Sequence, residues 1–208
     1  MKTIAFAAAF AAISLAASAS QATVLTFDGD ICNGGTSCGS SETIDQTYGD
    51  GVGVDVTTSN GGGGPLQWWN LNYSDLTNVA WGQQTNDGAT IFIAALSGYS
   101  VTLNGLDLGA WPNADADTNL TIREIGGGVL APTATYTIDG VVHSHFTYNL
   151  TSTSGFEINF TNAYYVGIDN LDFTVTGGVV PEPGTWALMI AGFGLAGGAL
   201  RRRKAAIA

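Results

Sequence analysis

Tyr136-Thr-Ile-Asp-Gly-Val-Val-His-Ser-His-Phe-Thr-Tyr-Asn-Leu-Thr-Ser-Thr-Ser-Gly-Phe-Glu-Ile-Asn-Phe160 is the stretch whose reading decides the fold. Tyr136 and Ile138 lead into Asp139-Gly140, after which an apolar and polar run resumes over residues 141–148. Asp-Gly between alternating runs predicts a hairpin, because a type I′ turn needs φ > 0 at both central residues. Phe156, Ile158 and Phe160 then alternate with Glu157 and Asn159. A period of two puts one face of a strand in a core and the other in water.

The same period extends in both directions. Upstream, Val101 and Leu103 are followed by Leu106 and Leu108, a phase change that predicts a bulge at Asn104-Gly105. Downstream, Val166-Gly-Ile168 and then Leu171, Phe173 and Val175 continue the pattern. Residues 24–27, 52–56, 90–95 and 120–125 read as further strands, and no helical periodicity exceeds two turns between Thr23 and about Gly178. Eight to ten short strands at this spacing predict an all-β domain, a jelly-roll-like two-sheet β-sandwich whose first and last strands pair near each other. The run Asn60-Gly-Gly-Gly-Gly-Pro65 before Leu66-Gln67-Trp68-Trp69 reads as a flexible loop; it lacks the Lys and the following helix of a phosphate cradle.

Composition excludes several classes. The 208 residues carry 6 Lys and Arg against 17 Asp and Glu, and only 11% are charged. A nucleic-acid binder needs cations to neutralise phosphates, so nucleic acid is not a partner. A disordered acidic tail is also excluded, because 45% hydrophobic and 10% aromatic residues suffice to bury a core. The cations are unevenly placed: Lys2 at one end, Arg201, Arg202, Arg203 and Lys204 at the other, and Arg123 alone between.

Both ends read as addresses. Residues 1–22 have the parts of a secretory signal peptide: Lys2, an apolar run over residues 4–17, and small residues that permit cleavage after Ala19 or Ala22. That run is too short to span a bilayer. Near the C-terminus, the 17 uncharged residues 184–200 make about 26 Å of helix, enough to cross a membrane once. The basic cluster 201–204 would stay in the cytoplasm and Trp186 would sit at the outer interface. The expected organisation is therefore a signal peptide (1–22), a β-sandwich domain (23–178) and a tail (179–204) with its C-terminus inside.

The tail carries a family resemblance. Pro181-Glu182-Pro183-Gly184-Thr185-Trp186-Ala187, followed by Gly192-Phe193-Gly194 and Arg201, Arg202 and Arg203, resembles the PEP-CTERM sorting signal in its PEPxxWA variant. The resemblance covers about 24 residues and says nothing of the exported domain. It implies a Gram-negative host, export by the Sec machinery, and an inner-membrane exosortase that recognises the tail and cleaves near Pro181-Glu182-Pro183. It further implies a protein released to the cell surface or the extracellular matrix, associated with exopolysaccharide and biofilm.

Within the domain, Cys32 and Cys38 bracket five residues and in an oxidising compartment are expected to form a disulfide. Asn113, Asp115, Asp117 and Asn119 alternate, with Glu124 twelfth counting from Asn113. This spacing resembles an EF-hand-type Ca2+ loop, although Thr118 stands where a Gly belongs and no helices flank it; the competing reading is a polar hairpin loop. By fold analogy, Asp28, Asp30 and Asp172 offer a second calcium option. His143 and His145 share a strand face, either as the start of a metal site or as solvent-facing polar groups.

Trp68, Trp69, Trp81 and Trp111 lie beside Asn, Gln and Asp, a setting that suits stacking on sugar rings. The alternative is that they fill the core, with Trp111, between Gly109-Ala110 and Pro112, the best candidate for an exposed one. No Gly-x-Ser-x-Gly, His-Glu-x-x-His or recommended carboxylate pair is present, so no catalytic residue is assigned. The expected role is a non-enzymatic surface or matrix component, with a carbohydrate-binding module, and then a secreted hydrolase, as alternatives.

Overall fold

A computed structural model describes residues 19–35, 37–83, 88–178 and 188–196. The chain divides into a β-rich unit, Ser20–Gly178, and a second unit of Met1–Ala19 with Val179–Ala208.

The β-rich unit is a sandwich of two antiparallel sheets. The first runs β3 (Gln67–Trp69), β4 (Val79–Trp81), β11 (Val166–Gly177), β6 (Tyr99–Ala110) and β9 (Ser144–Ser152), and β1 (Ala19–Leu25) also pairs with β11. The second runs β2 (Val54–Asn60), β5 (Ala89–Ala95), β10 (Gly155–Phe160), β7 (Ala116–Glu124) and β8 (Val129–Ile138). The first and last strands thus pair, as the sequence predicts.

Alternation decides which side chains meet between the sheets. Ile91 and Ile93, Phe156, Ile158 and Phe160, and Leu120 and Ile122 point inward from the second sheet. They meet Val101, Leu103, Leu106, Leu108, Ile168, Phe173 and Val175 of the first. Each such side chain contributes about 1.5–3 kcal/mol by leaving water.

The phase change on β6 is a bulge. Pairing of β6 with β9 shifts between Leu103 and Gly105, so that Leu103 and Leu106 both face the core. β11 carries a matching irregularity between Asp169 and Asp172, with Asn170 at a φ of +47°.

Asp139-Gly140 does not close a hairpin. β8 ends one sheet and β9 the other, so the segment between them crosses the sandwich. Neither residue has positive φ. The Asp139 carboxylate instead accepts the backbone N–H groups of Val141 (2.6 Å) and Val142 (3.1 Å), which hold it below the usual carboxylate range. Ile138 is buried while Val141 and Val142 are 70% and 55% exposed, so alternation breaks at the turn and resumes only on β9, in the other sheet. Gly140 is needed for closeness: a Cβ there would lie 2.3 Å from the Ala114 nitrogen.

Cys32 and Cys38 form the expected disulfide, with Cα atoms 5.2 Å apart. β1 begins at Ala19, inside the segment read as a signal peptide. In the other unit, residues 188–196, which include Gly192, Phe193 and Gly194, are helical within the expected span 184–200. No helix among the described residues is long and apolar enough to cross a membrane. Residues 1–18, the motif Pro181 to Ala187, and Arg201, Arg202 and Arg203 lie outside the described residues.

Candidate functional site

The outer face of the first sheet carries a cavity, and alternation on β3 and β4 builds one side of it. Trp68 and Ala80 turn inward to the core, so Gln67, Trp69, Val79 and Trp81 turn outward. Gln67 lies opposite Trp81, and Trp69 opposite Val79. The connection between these strands folds back over the sheet, laying Tyr73 and Leu76 on Val79 and Trp81 as a second apolar cluster. It lies close because β6 and β11 present glycines beneath it. Gly109 and Gly167 are paired in register, and a Cβ on Gly109 would sit 2.5 Å from the Tyr73 carbonyl oxygen.

Tyr164, from the turn before β11, and Trp111, from the turn after β6, complete the walls. Trp69, Tyr73, Trp81, Trp111, Tyr164 and Ser41 line a cavity of about 180 Å³. Its rings meet edge to face: Trp69 and Trp81 at 5.9 Å, Trp81 and Tyr164 at 5.3 Å, Trp111 and Tyr164 at 5.5 Å. The Tyr73 hydroxyl donates to the Tyr164 carbonyl at 2.7 Å, and burial pushes its pKa far up, so it stays neutral. Trp81 Nε1 donates to the Trp68 carbonyl at 3.3 Å.

Two polar atoms here are unsatisfied. Trp69 Nε1 and Gln67 Oε1, two residues apart on the outward face of β3, are buried without a hydrogen-bond partner among the described residues. An orphaned buried donor or acceptor costs about 1–3 kcal/mol, so native proteins rarely keep one without a use. Aromatic walls with a free donor at Trp69 fit a molecule with C–H faces and hydroxyl groups, while Gln67 is not among the residues that line the cavity.

The sequence candidates separate accordingly. Trp69 and Trp111 line the cavity with Trp81, whereas Trp68 packs against the core and donates Nε1 to the Phe27 carbonyl at 2.9 Å. Tyr73 and Tyr164 carry no sequence signal for the cavity, because folding alone brings them from separate connections to β3.

Of the segment from Asn113 to Glu124, Ala116–Glu124 is strand β7 and residues 113–115 are the turn that leads into it. Asp117 accepts from Thr137, Asn119 from Thr135, and Glu124 from Ser152, each at 2.6–2.7 Å. Asp115 accepts from the Gly140 N–H at 3.0 Å, and Asn113 sits in a turn at a φ of +56°. An extended chain spaces such groups about 3.3 Å per residue, so they do not converge. Asp28, Asp30 and Asp172 each accept a hydrogen bond from a different side chain, Asn78, Ser37 and Asn104 respectively. Among the described residues no three His, Cys, Asp or Glu side chains are placed to hold a metal ion.

His143 and His145 each meet a carboxylate. His143 Nδ1 is 2.8 Å from Asp75, and His145 Nδ1 is 2.6 Å from Asp107. Asp107 and Asp169 are each 5% exposed and lie opposite one another on β6 and β11. Burial raises Asp169 to about 7, against the N–H donated by Asn170, with the Asp28 and Asp107 charges adding to the rise. Asp75 is held low by the backbone N–H and the ring of His143. Neither the aromatic cavity nor a second, polar cavity on the other sheet includes Asp107 or Asp169.

Residues 179–204 match the family described as the PEP-CTERM protein-sorting motif. No curated protein sequence matches the chain. Among solved structures, the chain is similar to the Podospora anserina GH26-CBM35 β-(1,4)-mannanase, at 14% identity and a TM-score of 0.34 over 63% of this chain and 29% of that one. It is similar to the enzymatically active domain of bacteriophage CBA120 tailspike protein 4, at 17% identity and 0.30, over 57% and 19%. It is also similar to a family 29 carbohydrate binding module, at 14% identity and 0.22, over 60% and 86%. The chain thus spans under a third of the first two proteins, and at these scores no property of the three is transferred to it.

Proposed function

We propose, from the premise that residues 179–204 are a PEP-CTERM sorting motif, that this chain is an exported, non-enzymatic protein of the cell surface or extracellular matrix. Its β-sandwich holds a saccharide in the aromatic cavity. A signal peptide directs it through the inner membrane, and the tail holds it there, C-terminus inside, until exosortase processes it. Residues 184–200 supply the apolar span and Arg201, Arg202 and Arg203 the cytoplasmic stop.

We read the fold as a jelly roll. β4 to β11 lie in the orders β4-β11-β6-β9 and β5-β10-β7-β8, the arrangement of two Greek keys rolled together. The observation that carries the saccharide reading is the unsatisfied Trp69 Nε1 between aromatic walls. Sugars offer axial C–H groups for ring faces and hydroxyl oxygens for the free donor.

A glycan array probed with the exported protein tests this. Wild type is expected to bind at least one polysaccharide class, and Trp111→Ala to lose roughly tenfold or more in affinity, as removal of a stacked aromatic does. Products with new reducing ends are not expected. Absence of binding to every glycan would remove the saccharide reading.

A further inference from the structure

The outer face of the second sheet holds a different site. Its inward residues are Ile91 and Ile93, Phe156 and Ile158, and Leu120 and Ile122. The residues between them therefore form two rows on the opposite face. Thr57, Phe92, Glu157, Arg123 and Val129 are successive cross-strand partners, from β2 to β8. Ser59, Thr90, Asn159 and Thr121 form the next row, and Thr121 bonds Thr133 at 2.7 Å. Thr121, Arg123, Val129, Thr133, Glu157 and Asn159 enclose a groove of about 210 Å³.

Arg123 is the one cation between residues 3 and 200. It lies opposite Glu157, yet none of the ion pairs among the described residues uses it. Glu157 Oε1 accepts from Asn159 at 3.0 Å, and no hydrogen bond among the described residues reaches Oε2. A donor fork and a carboxylate acceptor thus share one groove without satisfying each other. Phe92, half-buried next to Glu157, supplies an apolar patch in the same row.

Neighbouring hydroxyls of a sugar match this pair, one accepting from the guanidinium and the next donating to the carboxylate. Charge selects among sugars. Between residues 23 and 180 stand 16 acidic residues and Arg123 alone, so an anionic polymer is repelled on approach and a neutral one is not. We infer that the groove around Arg123 and Glu157 is a second saccharide site, taking a neutral, hydroxyl-rich glycan, and that the sandwich bridges two polysaccharide chains. The groove stands on its own observations; the bridging rests also on the aromatic cavity proposed above. The two sites lie on the outward faces of sheets packed back to back, so a strand of polymer held at one leaves the other open.

Affinity electrophoresis in gels containing mannan, xyloglucan, dextran or alginate tests this with the exported protein and its variants Arg123→Met, Glu157→Gln, Trp111→Ala and Arg123→Met/Trp111→Ala. Turbidity of the same polymers in solution reports bridging. In a neutral-polymer gel, each single variant is expected to weaken retardation roughly tenfold, and the double variant to abolish it. Wild type alone is expected to raise turbidity. Arg123 is exposed, so Arg123→Met and Glu157→Gln are expected to melt like wild type. Wild-type retardation and turbidity in both groove variants would overturn the second site while leaving the aromatic cavity intact. Loss in the groove variants with Trp111→Ala unchanged would do the reverse. Arg123-dependent retardation only in alginate would overturn the neutral class, and no retardation in any gel would overturn both sites.

Discussion

Gly109 has no side chain, and the aromatic cavity depends on that. The Tyr73 carbonyl occupies the space where a Cβ would stand, so Gly109→Ala must push the Tyr73 segment off the sheet. We expect a loss of about 2–4 kcal/mol, the range for overpacking and lost core contacts, together with loss of saccharide binding. Thermal unfolding and the glycan array check the two effects separately. Asp169 is a second residue whose behaviour follows from its surroundings. Its pKa near 7 lies above the ~3.9 of an unfolded Asp, so the native state holds the proton more tightly between those values. Stability therefore falls as pH rises from about 4 to about 7 and is flat above. The Tm is expected to be roughly 5–10 °C higher at pH 5 than at pH 8, the shift that about 2–3 kcal/mol produces in a domain of this size. Asp169→Asn is expected to remove that difference, and an unchanged pH profile in the variant would show that Asp169 is not its source. Asp45, Asp75 and Asp139 act oppositely. Backbone N–H groups of Thr47, His143 and Val141 hold them low, so their contribution is present above pH ~4 and is lost as the pH drops further.

At the scale of elements, strands were legible where one face is buried and the other wet. β10 and β11 follow the period of two, and even the bulge at Asn104-Gly105 is readable from the phase change between Leu103 and Leu106. Asp139-Gly140 misled because the turn signal is local while the choice of sheet is not. With Val141 and Val142 exposed, the carboxylate caps two backbone N–H groups and sends the chain across the sandwich. The Trp residues split for the same reason: adjacent residues on a strand face opposite ways, so Trp68 and Trp69 could not both be core or both be surface. Tyr73 and Tyr164 carry no sequence signal for the cavity, since their meeting depends on the connection before β4 folding over Gly109 and Gly167 towards the turn before β11. β1 yields a prediction about processing. Cleavage after Ala22 would remove the greater part of a strand paired with β11, whereas cleavage after Ala19 spares it. The mature N-terminus is therefore expected at Ser20, which N-terminal sequencing reads directly; a start at Thr23 would contradict the pairing argument.

For the whole molecule, charge is the dominant fact. Five of six cations lie in the terminal segments, so the region from Thr23 to Val180 carries a net −15. No Lys or Arg ion pair stands among the described residues, only contacts between histidines and aspartates. Self-repulsion of this kind is screened by salt, so raising NaCl from about 20 mM, where the Debye length exceeds 20 Å, to about 0.5 M should raise the Tm. A Tm insensitive to salt would mean the carboxylates lie too far apart to matter. Exosortase processing predicts a surface-located protein whose mass lacks Arg201, Arg202 and Arg203; an intact tail on that protein would contradict it.

The account rests most heavily on the aromatic cavity, and Trp69 reports on it directly. Its indole N–H is buried without a partner among the described residues, so a saccharide seated as proposed between Trp69, Trp81 and Trp111 would supply the missing acceptor. Two-dimensional 1H–15N NMR of the exported protein, titrated with a polysaccharide fragment that the array selects, follows each indole N–H separately. The Trp69 resonance is expected to move downfield with the same saturation as binding, with Trp81 and Trp111 shifting alongside and Trp68 fixed. A Trp69 resonance that stays in place while the fragment binds would contradict the account.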